Sequence, residues 1–178
     1  MKTRTCILVH RCRRGFLLAA LVGLVALAAN AGTVIKINNP TALNLPGAAD
    51  SAGWDSTVTG ANTSALGASA GWLGIKVASP GGDIVIASNA VATLTLGASG
   101  VDLSAATVNL TLGCPLVLGS AQTWTAGSGR SLTAGSSIGG SSPGTFVKSA
   151  AGRLVLSAGN SSFTYGVIGY RRLNFDFT

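Results

Sequence analysis

The chain is predicted to be all-β, a right-handed parallel β-helix (solenoid) behind an N-terminal signal-peptide helix. Three observations carry that expectation. Beyond residue 31, short runs alternate apolar and polar residues with period two, and no window shows the three-four spacing of an amphipathic helix. One inward-facing apolar residue per run recurs at steps close to eight. The runs are divided by Gly, Ser and Ala, with few charged residues between them.

The first element is the leader. Lys2, Arg4, Arg11, Arg13 and Arg14 form a basic head, and Phe16 to Ala28 form thirteen unbroken residues of apolar side chains and glycine. That run is short for a bilayer span, which takes about 20 residues. It closes on Ala29-Asn30-Ala31, a small-x-small triplet that suits signal peptidase. Residues 1–31 therefore read as a cleavable signal peptide, and the product is expected to be exported to the cell surface, the outer membrane or the medium. No later segment is apolar enough to span a membrane as a helix.

Cleavage changes the chemistry of what remains. The whole chain carries +7, but five of its twelve basic residues lie in the leader. The rest is +2, seven basic residues against five aspartates, with no cluster beyond Arg171-Arg172. A nucleic-acid surface needs a basic stripe or patch, so nucleic acid is not an expected partner. There is no glutamate, and the one histidine, His10, leaves with the leader. Cys6 and Cys12 leave too, so Cys114 stands alone without a disulfide partner. Followed by Pro115 and set among apolar residues, it reads as a buried small hydrophobe.

Residues 32–82 form an N-terminal β segment or cap. Thr33 to Ile37 alternate as a first strand, a turn-rich stretch runs from Asn38 to Gly53, and Trp54–Val58 and Gly71–Val77 follow. Ser79-Pro80-Gly81-Gly82 is a strong turn signal. Residues 83–166 are the regular region. The inward series is Leu94, Leu103, Leu110, Leu118, Trp124, Leu132, Ile138, Phe146, Leu154 and Phe163, in steps of 9, 7, 8, 6, 8, 6, 8, 8 and 9. A step of eight is one short strand plus one tight turn, and three steps make a coil of about 24 residues. An antiparallel sandwich also places strands at regular intervals and stays open on spacing alone.

One stretch carries a resemblance. Gly144 to Gly166 resembles the autotransporter-associated β-strand repeat of bacterial surface proteins, with Lys148, Gly152, Leu154, Leu156, Ser157, Asn160, Phe163, Thr164 and Gly166 at matching positions. Ala150 stands where the first glycine is usual, and Ala158-Gly159 adds one residue before Asn160. Leu94–Ser104 and Leu118–Trp124 look like the segment that precedes this repeat. The resemblance implies a β-helical passenger at or beyond the outer membrane, non-enzymatic and without catalytic residues, adhesive in some settings. Residues 167–178 are an atypical tail that departs from the repeat, as a truncated or frameshifted reading frame would produce.

Motifs with chemical meaning are sparse. Gly67-Ala68-Ser69-Ala70-Gly71 matches the G-x-S-x-G elbow of serine hydrolases, which works only with a histidine base and a following helix. Neither is legible here, so a small-residue turn is the expectation. Asp50 and Asp55 are the one nearby carboxylate pair, and acids in such places make local turn bonds. No ligand spacing for a metal is present and no cofactor is expected. Trp54, Trp72 and Trp124 read either as core fillers or as a carbohydrate-stacking row. The expected partners are therefore a surface polysaccharide, or a second copy meeting the β-helix end. The alternatives to a structural or adhesive segment are a carbohydrate-binding or polysaccharide-processing β-helix and a non-functional truncated product.

Overall fold

The computed structural model describes residues 34–36, 46–88, 91–140, 146–157, 167–169 and 173–175, and all of them lie in one compact unit, Ala31–Thr178. The signal peptide expected over residues 1–31 lies outside the described residues, as does Phe163. The described chain is a parallel β-solenoid of about four turns, and it contains no helix.

Fifteen strands build it: β1 (Val34–Lys36), β2 (Ser51–Trp54), β3 (Asn62–Leu66), β4 (Ala70–Val77), β5 (Ile84–Ser88), β6 (Leu94–Leu103), β7 (Leu110–Leu112), β8 (Leu116–Leu118), β9 (Gln122–Ala126), β10 (Ser131–Ala134), β11 (Ile138–Gly139), β12 (Phe146–Ser149), β13 (Arg153–Leu156), β14 (Val167–Gly169) and β15 (Leu173–Phe175). One sheet runs β3-β5-β7-β10-β13-β15. The other holds β1-β2-β4-β6-β9-β12-β14, with β8 and β11 continuing from the first half of β6. That second sheet is folded along a corner. β4 pairs Ala70–Trp72 with Leu94–Leu96, slips register, then pairs Gly74–Lys76 with Gly100–Asp102. A coil therefore has three short sides. All pairings are parallel, which excludes the antiparallel sandwich. The rungs already begin with β1 and β2, well before the regular stretch that opens at Asp83.

The coil length expected from spacing is close to the observed one. Ile84 pairs with Leu110, Leu110 with Leu132 and Leu132 with Leu154. Coils of 26, 22 and 22 residues follow from those registers. In-register stacking places like on like: Ile84, Leu110, Leu132 and Leu154 form one inward column, and Ile86, Leu112, Ala134 and Leu156 the next, all buried. On the folded sheet, Ala52, Ile75, Val101, Trp124 and Lys148 form a third. Alternation along each strand sends every second residue to this axis. Of the predicted inward series, Leu94, Leu103, Leu110, Trp124, Leu132, Ile138, Phe146 and Leu154 are buried, whereas Leu118 is only partly so. Burying a leucine-sized side chain is worth about 1.5–3 kcal/mol, so these columns supply most of the driving force.

The corners are held by polar side chains that bond backbone one coil away. Asp83 Oδ1 accepts the Asn109 N–H at 2.9 Å, and Asn109 Oδ1 accepts the Ser131 N–H at 2.9 Å. Such bonds satisfy backbone groups where the strand ladder is interrupted. Close approach decides one glycine: a Cβ on Gly152 would fall onto the Gly127 carbonyl oxygen and lie 2.6 Å from that of Ala126. Ala150, where the resembling repeat usually has glycine, sits at φ +65°, in the left-handed region that costs an L-residue about 1–2 kcal/mol.

Two substitutions test this account by chemical denaturation. Gly152→Ala is expected to lower stability by about 2 kcal/mol or more through overpacking, while Ala150→Gly is expected to raise it by about 1 kcal/mol by relieving backbone strain. A neutral Gly152→Ala would mean the coils do not approach as closely as described.

Candidate functional site

The stacking row expected from the sequence comprises Trp54 on β2, Trp72 on β4 and Trp124 on β9. The fold turns all three rings inward: Trp54, Trp72 and Trp124 are 1 %, 4 % and 0 % exposed. A sugar stacks on an exposed ring, and these three rings are buried, so the exposed-row expectation gives way to the core-filler one. Alternation explains it. Trp124 shares its side of β9 with Gln122, and its ring packs edge-on against Phe146 at a centroid distance of 4.9 Å and 87°.

Burying an indole leaves its N–H to be satisfied, and the solenoid does this for two of the three. Trp124 Nε1–H donates to Gln122 Oε1 at 2.8 Å, and Gln122 in turn donates to the Leu96 carbonyl at 3.2 Å. Trp54 Nε1–H donates to Asn62 Oδ1 at 3.1 Å, an oxygen that also accepts the Ser64 hydroxyl at 3.0 Å. Trp72 Nε1–H has no acceptor among the described residues.

The G-x-S-x-G sequence forms the corner between β3 and β4. Ser69 Oγ accepts the Thr93 N–H at 3.1 Å, which ties this corner to the next coil. No helix follows Ser69, and the single histidine of the chain lies at position 10, so no base stands beside this hydroxyl among the described residues. The carboxylates act locally. Asp50 Oδ2 accepts the Gly47 N–H at 3.2 Å. Asp55 Oδ1 accepts both the N–H and the hydroxyl of Thr57, at 3.0 and 2.6 Å. Asp102 Oδ1 accepts the Ser104 N–H at 2.8 Å. These are the turn bonds that short acidic side chains make to neighbouring backbone. Among the described residues no three histidines, cysteines or acids gather where a metal ion would fit, and no helix is long and apolar enough to cross a membrane.

Two buried groups have unusual electrostatics. Cys114 is fully buried at the corner between β7 and β8, and desolvation, only partly offset by a backbone hydrogen bond, pushes its thiol from 9.0 to about 11. Lys148 is 1 % exposed, with Nζ donating to the Ala150 carbonyl, and burial lowers its pKa. The sequence does not advertise this lysine as interior, although it is in phase with Phe146 on β12 and matches the lysine of the resembling repeat. Its inward position follows from strand parity alone. Comparison with protein families, curated proteins and solved structures returned no match.

The cysteine gives a direct check. Alkylation by iodoacetamide at pH 8, followed by peptide mapping, is expected to leave Cys114 unmodified in the native chain and to modify it fully in denaturant. A raised folded-state value stabilises the protonated fold below pH 9 and withdraws that contribution as pH rises from 9 to 11. Rapid native labelling at pH 8 would contradict the burial described.

Proposed function

We propose that this chain is a non-enzymatic, exported structural segment of a bacterial surface passenger, a short β-solenoid rod related in kind to autotransporter-associated repeat proteins. The observation that carries the reading is the division of labour between the two faces of every strand. The inward columns are mainly apolar, with Gln122 and Lys148 as buried polar members, while outward positions of the sheet that runs from β3 to β15, in register, are Thr63, Val85, Thr111 and Thr133. Such a surface is uncharged and small, and it extends by repetition rather than by building a cleft. Among the described residues, Asp50, Asp55, Asp83 and Asp102 bond nearby backbone at corners and turns, and Asn62 and Gln122 accept from buried indoles.

The leader and the matched residues Lys148, Gly152, Leu154, Leu156 and Ser157 support export and the passenger class. Their roles are structural throughout: the lysine bonds a corner carbonyl, the glycine permits coil contact, the leucines fill the axis, and Ser157 donates its hydroxyl to the Ala134 carbonyl at 3.2 Å. A second reading, self-association through the solenoid end, is favoured by β3, an outermost strand of its sheet among the described residues. It carries no charge or proline, the usual devices that keep an edge from pairing with another chain.

The test is expression of the full chain in a Gram-negative host, with fractionation and N-terminal sequencing. The expected product lies outside the cytoplasm, begins at Gly32 and resists protease as a solenoid does. A cytoplasmic product that retains Met1 would overturn the reading. Sedimentation of the exported product separates a monomeric rod from one that pairs through β3.

A further inference from the structure

The G-x-S-x-G corner has a property that its structural bond from Ser69 does not use. With Trp72 it bounds a partly open cavity of about 340 Å³, lined by the Ala65–Ala70 segment and the indole. None of these side chains is charged, and the lining is predominantly apolar. The volume falls in the lower range of small-molecule sites, which are concave, largely apolar and carry a few polar groups that fix orientation.

The polar group here is Trp72 Nε1–H. It is buried and has no acceptor among the described residues, whereas the other two tryptophans each have a side-chain oxygen at 3.1 Å or less. The difference is written in the sequence. Gln122 stands two residues before Trp124 on the same side of its strand and supplies the acceptor; two residues before Trp72 stands Ala70, which has none. Buried donors are ordinarily satisfied, and an exception asks for an explanation. Position adds to it: Trp72 heads the column Trp72, Leu96, Leu118, and among the described residues no strand pairs with Ala70–Trp72 on its outer side. The cavity is partly open at this corner, which gives a small molecule a way in beside the indole.

We propose that this corner binds a small, neutral, largely apolar molecule carrying one hydrogen-bond acceptor, a ketone, ester or acetyl carbonyl, which receives the Trp72 N–H. The nitrogen is covered by its surroundings, so binding goes with an outward shift of Gly67 and Ala68, ahead of the Ser69 anchor to Thr93. Both residues are exposed, and nothing lies within 4 Å of where a Gly67 Cβ would stand. The site is independent of the structural role proposed above, and either reading can fail alone.

The experiment is an NMR titration of the full chain, observing the three indole N–H resonances, with Trp72 assigned as the one lost in Trp72→Phe. The probes are cyclohexanone and methylenecyclohexane, equal in shape and differing in the acceptor. Cyclohexanone is expected to shift the Trp72 resonance saturably, and methylenecyclohexane to bind about fivefold more weakly, the scale of one net hydrogen bond. Gly67→Leu, which fills the cavity from an open position, is expected to abolish the shift while the Trp54 and Trp124 resonances stay in place and report an intact fold. Ala68→Leu serves as a second block should Gly67→Leu disturb those reporters. No saturable shift, equal affinity for the two probes, or binding undiminished by the block would each overturn the proposal.

Discussion

Every other feature of this molecule depends on the in-register parallel hydrogen bonding between successive coils. Parallel ladders are evenly spaced and slanted, and each strand needs a partner on both sides to satisfy its backbone. Once β5, β7, β10 and β13 are locked residue to residue, the side chain at a given position has one neighbour above and one below, fixed by register. The core is therefore a set of columns, and a residue is judged by the column it joins. A slip by one residue would turn a whole strand inside out, so the columns protect the register that creates them.

That constraint explains why polar groups in the interior are handled so locally. A column of leucine and isoleucine has no donors or acceptors to lend. Trp124 depends on Gln122 from its own strand, and Trp54 on Asn62 from the next side of the same coil. Lys148 stacks in register on Trp124 and turns its ammonium to the carbonyl two residues ahead. That carbonyl belongs to the residue held at positive φ, so the strained corner and the interior lysine form one unit. Alanine bears that strain, at φ +65°.

Much of the architecture was legible in the sequence because the determinant is periodic. The steps near eight between Leu94 and Leu154 reflect one strand and one corner, and they gave the coil length, while the parallel direction of the strands was not fixed by spacing alone. Leu118 departs because the chain turns a corner at Gly119, and a residue there closes the axis only partly. The functional side was less legible for a physical reason. An indole has both an apolar body and a polar edge, so Trp54, Trp72 and Trp124 suit a buried column or an exposed stack equally well until parity with their strand neighbours is fixed. Lys148 is the opposite case, since charge suggests solvent while position places it inside. The corner at Gly67–Gly71 was readable as a turn, but the cavity behind it depends on what the neighbouring coil leaves open, which spacing along one chain does not encode.

The parallel coil also has a mechanical consequence. In a solenoid the inter-coil hydrogen bonds lie along the long axis, so tension applied between its ends pulls on the bonds of the terminal coil first, a few at a time, rather than shearing whole sheets at once. A coil of 22 residues, as from Leu110 to Leu132, occupies about 5 Å of axis while folded and releases about 70 Å more when drawn out at the limiting length of an extended chain. Loaded in this direction, the rod would yield in discrete increments and take up strain by paying out chain coil by coil, with the remaining coils still intact behind the break.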